Sequence, residues 1–517
     1  MDKKVGLTLD RLFYQTLLRK RNEVLTDGDR YITYRDLFTS AVRLANSLKN
    51  LGLGGKRIAV IAWNSIEYAT LMYGIPFSGS SVHPINVRLT LKDIAATIKI
   101  AKDSALFVSN DFAPVAEKLS DLGLIKSDDI FLMGGGRSNF ANYDDLILKG
   151  SSTFNIDFDE NTEMSVLFTS GTTGVPKGVA YTHRDVILAG MSILTLLSAY
   201  EGMSRLTSRD VIFPLIPFYH LWSWDSLFLS TLIGCKYVIA GKFDPVETIR
   251  LIKRSGATWM NMVPTMLYAL LSADNESALS GMKVLIGGSP IPSGLVEESK
   301  KRGIELASIY GFTDGLVASV GTINENYGDV SADERYRIST RYSTPAPFSE
   351  VKVVEKRGSP PEIFFRSPWL PRGYLNDPEK TKESFTDGWF KPGDSGYLTE
   401  HGDLRIDDRV KDLVKSGGEF IPSAILESYI SEIPHVQMVA VVPRPDEKWV
   451  ERPVAFIKSE IDFNVVKQDI IKTLNTLINE NRMPKWWMPD EFLPIDEMPM
   501  TGTGKIDKKE LRKIVGG

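Results

Sequence analysis

Cysteine is almost missing from the chain. Cys235 stands alone among 517 residues, which excludes an internal disulfide framework and any cluster of cysteine metal ligands. A reducing, cytoplasmic setting fits such a chain. An excess of one charge is lacking too: 61 Lys and Arg face 65 Asp and Glu, for a formal net charge of −4. No block of like charge offers a surface for nucleic acid or an anionic membrane, so a small-molecule partner is expected instead of a polyanion. Nor is there a long unbroken apolar run. The most apolar region, 211–240, is interrupted by Pro214, Pro217, His220, Asp225 and Lys236, short of the roughly 20 residues that cross a bilayer. It reads as core strands and helices beside a pocket, and no transmembrane segment is expected. The opening MDKKVGLTLDRLFYQTLL has no apolar stretch followed by small residues, so no cleaved secretory signal is expected. Internal repeats and low-complexity segments are not evident either.

What is present is length and apolar content. At 517 residues with 43% hydrophobic composition, the chain exceeds the roughly 250–300 residues that one core can serve, so several packed domains follow. Strand-like runs such as RIAVIAW (57–63), ALFVS (105–109), KVLIGG (283–288) and ASIYGF (307–312) alternate with helical stretches such as YRDLFTSAVRLANSLKNLG. This predicts parallel sheets covered by helices. From about Tyr342 shorter strand candidates, SEVKVVE, PEIFFRS and DLRIDDR, suggest a small antiparallel unit. After Arg409 the texture changes again, and QMVAVVPR, RPVAFIKS and VVKQDIIKTLNTLINENR can build an independent domain of about 100 residues.

The stretch LFTSGTTGVPKGVAYTH (167–183) carries the clearest chemistry. It fails the Walker pattern twice, since Pro176 stands where the second Gly belongs and Gly178 follows Lys177. A phosphate cradle survives in another form. Ser170, Thr172 and Thr173 offer hydroxyls, Gly171 and Gly174 let backbone N–H groups approach, and Lys177 supplies a cation. An ordinary surface turn is the bland alternative.

These residues, with GGSPIP (287), YGFTD (310), RSPWLPRGYLND (366), DGWFKPGDSGYL (387), DRVKDLVKSGGEFIP (408) and PMTGTGKIDKKEL (499), stand in one order along nearly the whole chain. That series resembles the adenylate-forming superfamily of acyl-CoA synthetases, nonribosomal peptide adenylation domains and firefly-type luciferases. The resemblance implies an α/β multidomain fold: a large N-terminal domain of two α/β subdomains plus a small β unit (1–408), a hinge (409–411) and a small mobile α+β C-terminal domain (412–517). It also implies a reaction, in which a carboxylate attacks the α-phosphate of ATP and a thiol then attacks the acyl-adenylate.

Roles are implied by the same matches. Lys505 is the cation bridging the substrate carboxylate and the α-phosphate, unless it is one solvated Lys beside Lys508 and Lys509. Asp394 and Arg409 are the ribose contacts, or else a turn cap and a surface ion pair. Gly287, Gly288 and Ser289 lie along the adenine, Tyr310 stacks on it, and Gly311, Phe312 and Thr313 complete that motif. Thr169 and Asp314 hold Mg²⁺. The family usually has Glu at position 314; Asp keeps the hard oxygen that Mg²⁺ prefers but sits one methylene back. Lys411 matches the hinge, and Lys415, Ser416, Gly417 and Gly418 resemble the lining of the tunnel for the phosphopantetheine arm of CoA.

PLIPFYHLWSWDSLFLS should build the acid pocket, with Phe218, His220, Trp222 and Trp224 making it large and aromatic. This stretch looks closest to the fatty acyl-CoA synthetase branch, in which a Trp in the position of Trp224 gates the acyl tunnel. Inert core is an equal reading for Trp224, and His220 is as readily a core residue as a neighbour of the carboxylate. An amino acid substrate is disfavoured, because only twelve residues follow Lys505, too few for a carrier domain. The expected function is an AMP-forming fatty acid–CoA ligase using ATP, Mg²⁺ and CoA, and dimerisation fits the branch. The alternatives are a ligase for a short-chain, hydroxy or aryl acid, and a nucleotide- or adenylate-binding pseudoenzyme suggested by Asp314.

Overall fold

The computed structural model describes residues 5–19, 23–26, 29–135, 139–155, 158–169, 176–501 and 505–516, with the backbone alone for Arg19, Glu23, Leu25, Thr26, Trp222 and Trp224. Among these residues two large sheets, a small antiparallel sheet and a C-terminal sheet form.

The first large sheet is ordered Ala141–Asn142, Ile130–Met133, Ala105–Ser109, Arg57–Ile61, Ser81–Pro84, Glu163–Thr169, Lys177–Thr182. All neighbours are parallel except the last pair, a hairpin. Ile130–Met133 and Ser81–Pro84 are buried at every position, as parallel strands covered on both faces must be, which is why such runs lack polar alternation. The second sheet has a parallel centre from Glu305–Phe312 through Lys283–Gly287, Trp259–Met262, Val211–Ile212 and Lys236–Ile239 to Glu23–Thr26. Antiparallel strands close both edges.

Helix Ile66–Phe77 buries every residue but Glu67, the pattern of a helix enclosed within the protein and not of one covering its surface. It crosses Tyr34–Asn50 closely enough that a Cβ on Gly74 would lie 2.6 Å from Leu44 Cδ2. Capping boxes Thr33/Asp36 and Thr182/Asp185 start the helices Tyr34–Asn50 and His183–Ala199, satisfying N–H groups that a helix leaves open. The second of these fixes where the chain leaves the Lys177–Thr182 strand.

The hydrophobic core of the large sheets runs from Leu9 to Phe390 in sequence, whereas the C-terminal cores draw only on residues from Val414 onward. The small unit, Glu350–Val354, Glu362–Arg366, Phe385–Thr386, Trp389–Phe390, Asp394–Leu398 and Leu404–Arg409, is antiparallel throughout. The C-terminal part pairs Val436–Asp446 with Val450–Ser459 and packs Ser423–Ser431 and Phe463–Asn479 on them. It docks on the large domain where Ser428 Oγ lies 2.6 Å from Ser293 Oγ, and a Cβ on Gly294 would strike the Ser431 carbonyl at 2.1 Å. This is the α/β multidomain arrangement expected. Among the described residues no helix is long and apolar enough to cross a membrane.

Candidate active site

The Glu163–Thr169/Lys177–Thr182 hairpin ends on the pair Thr169↔Lys177, the described residues that flank the expected phosphate loop. Ser170, Gly171, Thr172, Thr173 and Gly174 themselves lie outside the described residues. The Lys177 ammonium sits 5.0 Å from the centre of the Tyr374 ring, and the Tyr374 hydroxyl is beside the Asp314 carboxyl. Tyr181 donates a hydrogen bond to the Thr313 carbonyl (2.7 Å) and holds that turn in place. Burial pushes Asp314 up to about 6, with Tyr374, Lys177 and Arg409 opposing the shift. Its Oδ1 is buried with no partner among the described residues.

That idle oxygen bears on Mg²⁺. The described residues hold no cluster of three or more ligating side chains, but Mg²⁺ keeps several waters and is commonly bound by one or two carboxylates plus substrate phosphates. One hard, unpartnered carboxylate oxygen near the phosphate hairpin fits that demand.

Asp394 opens the strand Asp394–Leu398, directly opposite Arg409 on Leu404–Arg409. Arg409 Nε lies 2.8 Å from Asp394 Oδ1, and the Tyr310 hydroxyl donates to Oδ2. The carboxyl is almost wholly buried; burial raises its pKa, while Arg409 and then Tyr310 pull it down. Tyr310 therefore orients Asp394 through its hydroxyl, a link that an expectation of base stacking alone does not contain.

Lys505 reaches this cluster from the C-terminal part. A Cβ on Gly288, whose φ is +88°, would lie 2.7 Å from Lys505 Cε, so only glycine leaves room for the side chain. Gly287 ends the strand beneath it and Ser289 is exposed at the rim. Burial, with Arg409 adding to it and Asp394 opposing, lowers Lys505 to about 8. No carboxylate among the described residues forms an ion pair with it. His220, near enough for Lys505 to contribute, is lowered by burial to about 3 and stays neutral. A half-buried, unpaired ammonium beside a carboxylate and a guanidinium can receive anionic oxygen without first breaking a salt bridge.

A pH dependence follows. The ammonium expected to serve adenylate formation loses its proton as pH rises through about 8, well below the usual lysine range. In a pH series the kcat/KM for adenylate formation, which reports the free enzyme, falls above about pH 8. In Lys505→Arg, whose guanidinium stays charged, this alkaline limb disappears from whatever activity remains.

Lys411 lies in the turn between Leu404–Arg409 and Val414–Ser416. Arg512 donates to its carbonyl (3.2 Å) and pairs with Asp412. Asp408 accepts from Ser423 Oγ (2.6 Å) and the Ala424 N–H (3.2 Å). Gly417 and Gly418, at φ of 62° and 93°, turn the hairpin from Val414–Ser416 to Glu419–Ile421. Gly417 packs on Trp449, and Ser416 accepts from Arg452 (2.9 Å). The Asp408 and Lys411 contacts tie the C-terminal part to the strand Leu404–Arg409 and the turn after it, whereas those of Ser416 and Gly417 lie within the C-terminal part.

Phe218 is fully buried, its ring 5.4 Å from Tyr68 and edge-on to it and 6.5 Å from Tyr237. The Trp224 side chain lies outside the described residues. The sequence reading missed Tyr374 and Tyr181, which brace Asp314 and Thr313; Tyr374 was in sight, inside RSPWLPRGYLND, without a role.

The family described as AMP-binding enzyme matches residues 14–375, and the AMP-binding enzyme C-terminal domain matches 426–505. A long-chain-fatty-acid–CoA ligase of Thermus thermophilus is 29% identical over 498 residues, spanning 93% of this chain and 90% of its own. A medium-chain-fatty-acid–CoA ligase of Ectopseudomonas oleovorans is 30% identical over 509 residues, with coverage of 93% and 90%. Among solved structures, an anthranilate CoA ligase in complex with anthranoyl-AMP superposes with a TM-score of 0.87 over 99% of this chain and 98% of that one, at 22% identity.

Proposed function

The chain belongs to the AMP-binding enzyme family, and from that premise we propose that it is an AMP-forming ligase joining a fatty acid to CoA. The observation that carries the reading is the unpaired Lys505 ammonium set against Gly288 beside Asp394 and Arg409. In the first step a carboxylate oxygen of the acid bonds to the α-phosphorus of ATP, and the bond to the bridging oxygen breaks as pyrophosphate leaves. Negative charge grows on oxygens that Lys505 is placed to meet. Preorganised charge of this kind is usually the largest catalytic contribution. Asp394, oriented by Arg409 and Tyr310, accepts the ribose hydroxyls. The hairpin ending at Thr169 and Lys177 holds the departing phosphates. Asp314, with Thr169, would hold Mg²⁺, which when bound neutralises phosphate charge. In the second step the CoA sulfur bonds to the acyl carbon, AMP leaves with the anhydride oxygen, and the thiol proton is released. For that step the C-terminal part turns about Lys411 and brings Lys415, Ser416, Gly417 and Gly418 to the cleft.

The support for a fatty acid is the two fatty-acid ligases among the relatives. Acid-dependent exchange of labelled pyrophosphate into ATP tests the reading. Exchange that starts on adding a straight-chain acid supports it, and no exchange with any acid overturns it.

Asp314 motivates the second reading, a protein that binds nucleotide or adenylate without turnover. In Asp314→Glu the added methylene extends the carboxylate toward the metal, and the ligase reading expects exchange within about tenfold of the parent with half-saturation at lower Mg²⁺. An inactive parent with an active Asp314→Glu variant in the same Mg²⁺ titration would instead favour the sensor.

A further inference from the structure

The helix Ser423–Ser431 begins without a cap of its own. Its N-cap residue is Pro422, which makes no side-chain bond to the first turn, and that turn holds no acidic residue. A helix leaves its first N–H groups open, and an N-cap side chain or a nearby carboxylate normally meets them. Here the carboxylate comes from elsewhere in the chain. Asp408 Oδ2 accepts the Ser423 hydroxyl at 2.6 Å and the Ala424 N–H at 3.2 Å, and both Asp408 and Ser423 are buried.

The donors are fixed from the far side. Lys508 Nζ donates to Ser423 Oγ at 2.7 Å, so the one hydroxyl proton is left for Asp408. Lys508 is itself held by Glu427 at 2.6 Å, and Glu427 also accepts the Val441 N–H at 2.7 Å. Ser423, Glu427 and Lys508 belong to one body, because their helices bury Leu426, Ile430 and Leu511 in the C-terminal cores. Asp408 does not belong to it. It lies on the strand Leu404–Arg409, opposite Ser395 of Asp394–Leu398, just before the proposed pivot at Lys411.

The orientation seen brings Lys505 against Gly288, and Lys508 opens the helix that follows Lys505. In the same orientation the capped helix touches the large domain at its other end, where Ser431 Oγ accepts the Gly294 N–H at 3.3 Å. A turn about Lys411 carries the donors away from an acceptor that stays behind. A contact made in only one of two orientations shifts the balance toward that one. We infer that Asp408 is a latch, a helix cap supplied across the pivot that holds the C-terminal part in the orientation delivering Lys505. The pivot, and the link between this orientation and adenylate formation, rest on the ligase reading.

Two measurements on the full chain test the latch, and the first needs no catalysis. Ser293 and Ser428 face each other across the docking contact with their Oγ atoms 2.6 Å apart, and Cys235 is buried. The double variant Ser293→Cys/Ser428→Cys therefore reports this orientation through the disulfide it forms with oxidised glutathione. Adding Asp408→Ala is expected to slow that crosslink about two- to tenfold, whereas Asp408→Asn, which keeps an acceptor, stays nearer the parent. The second measurement is the ratio of two single-turnover rates, adenylate formation over thioester formation from supplied acyl-adenylate and CoA, which follows the balance of orientations. In Asp408→Ala the ratio falls about tenfold, the scale of a lost N-cap, and thioester formation does not slow. Asp408 also accepts the Arg409 N–H at 2.8 Å; Ser423→Ala, which leaves Arg409 alone, moves both readouts the same way by a smaller factor. An unchanged crosslinking rate in Asp408→Ala, or an unchanged ratio because both steps stay or slow together, overturns the latch. Should Asp408→Ala fail to fold, Ser423→Ala decides by the same two readouts. A slower crosslink in a chain that shows no nucleotide chemistry keeps the latch and removes the ligase reading.

Discussion

Lys505→Ala is expected to lower the rate of acyl-adenylate formation on the order of 10²–10³-fold, the usual effect of deleting one preorganised donor that meets developing charge. The size follows from where the ammonium sits. Among the described residues it forms no ion pair, and a side chain at residue 288 would crowd the space it fills. Most of its stabilisation is therefore available to the reacting oxygens. The measurement is single-turnover formation of adenylate from ATP and acid. Two companions localise the effect. Thioester formation from supplied acyl-adenylate and CoA stays within a few-fold of the parent, because the proposed mechanism gives that step to another orientation of the C-terminal part. The melting temperature does not fall, because an unpaired ammonium whose pKa burial lowers contributes no salt bridge to lose. A Lys505→Ala enzyme as fast as the parent in adenylation would remove this residue from the catalytic assignment.

Asp394→Ala is expected to be the next largest, with kcat/KM for ATP down on the order of 10²-fold. Hydrogen bonds to a charged acceptor are each worth about 1.5–3 kcal/mol, and the proposed role sets two ribose hydroxyls against this one carboxylate. The loss appears mainly in KM for ATP, since sugar contacts hold ground state and transition state alike. Deleting the carboxylate also leaves the Tyr310 hydroxyl without its acceptor and Arg409 without its strand partner. Arg409 is nearly half exposed, so that ion pair adds little to stability. The partly buried tyrosine hydroxyl is the larger loss, about 1 kcal/mol, and Asp394→Asn, which keeps an acceptor, recovers stability before it recovers ATP affinity. Equal ATP kinetics in parent and Asp394→Ala would contradict the ribose assignment.

What could be read from the sequence was what is local. Apolar runs such as ALFVS became Ala105–Ser109 residue for residue, because a strand covered on both faces needs nothing but apolar side chains. YRDLFTSAVRLANSLKNLG became Tyr34–Asn50, with Thr33 and Asp36 closing its start. Motif residues could be nominated by resemblance, and the structure brings Lys505, Gly288, Asp394, Arg409 and Tyr310 into one cluster. What could not be read was pairing. The bond from Tyr310 to Asp394 spans 84 residues of sequence, and Tyr374 supports both Lys177 and Asp314 only because distant strands meet. Nor could the packing of Phe218 against Tyr68 be read, since the two are 150 residues apart in sequence and meet only through tertiary packing.

The account stands most directly on nucleotide product analysis. The protein is incubated with ATP, Mg²⁺, CoA and a length series of plain and hydroxylated acids, and the nucleotide and thioester products are separated. AMP and acyl-CoA formed in equal amounts, dependent on the acid, is the predicted result. ADP in place of AMP would contradict the chemistry assigned to Lys505 and the hairpin, and no nucleotide product with any acid would contradict the ligase itself.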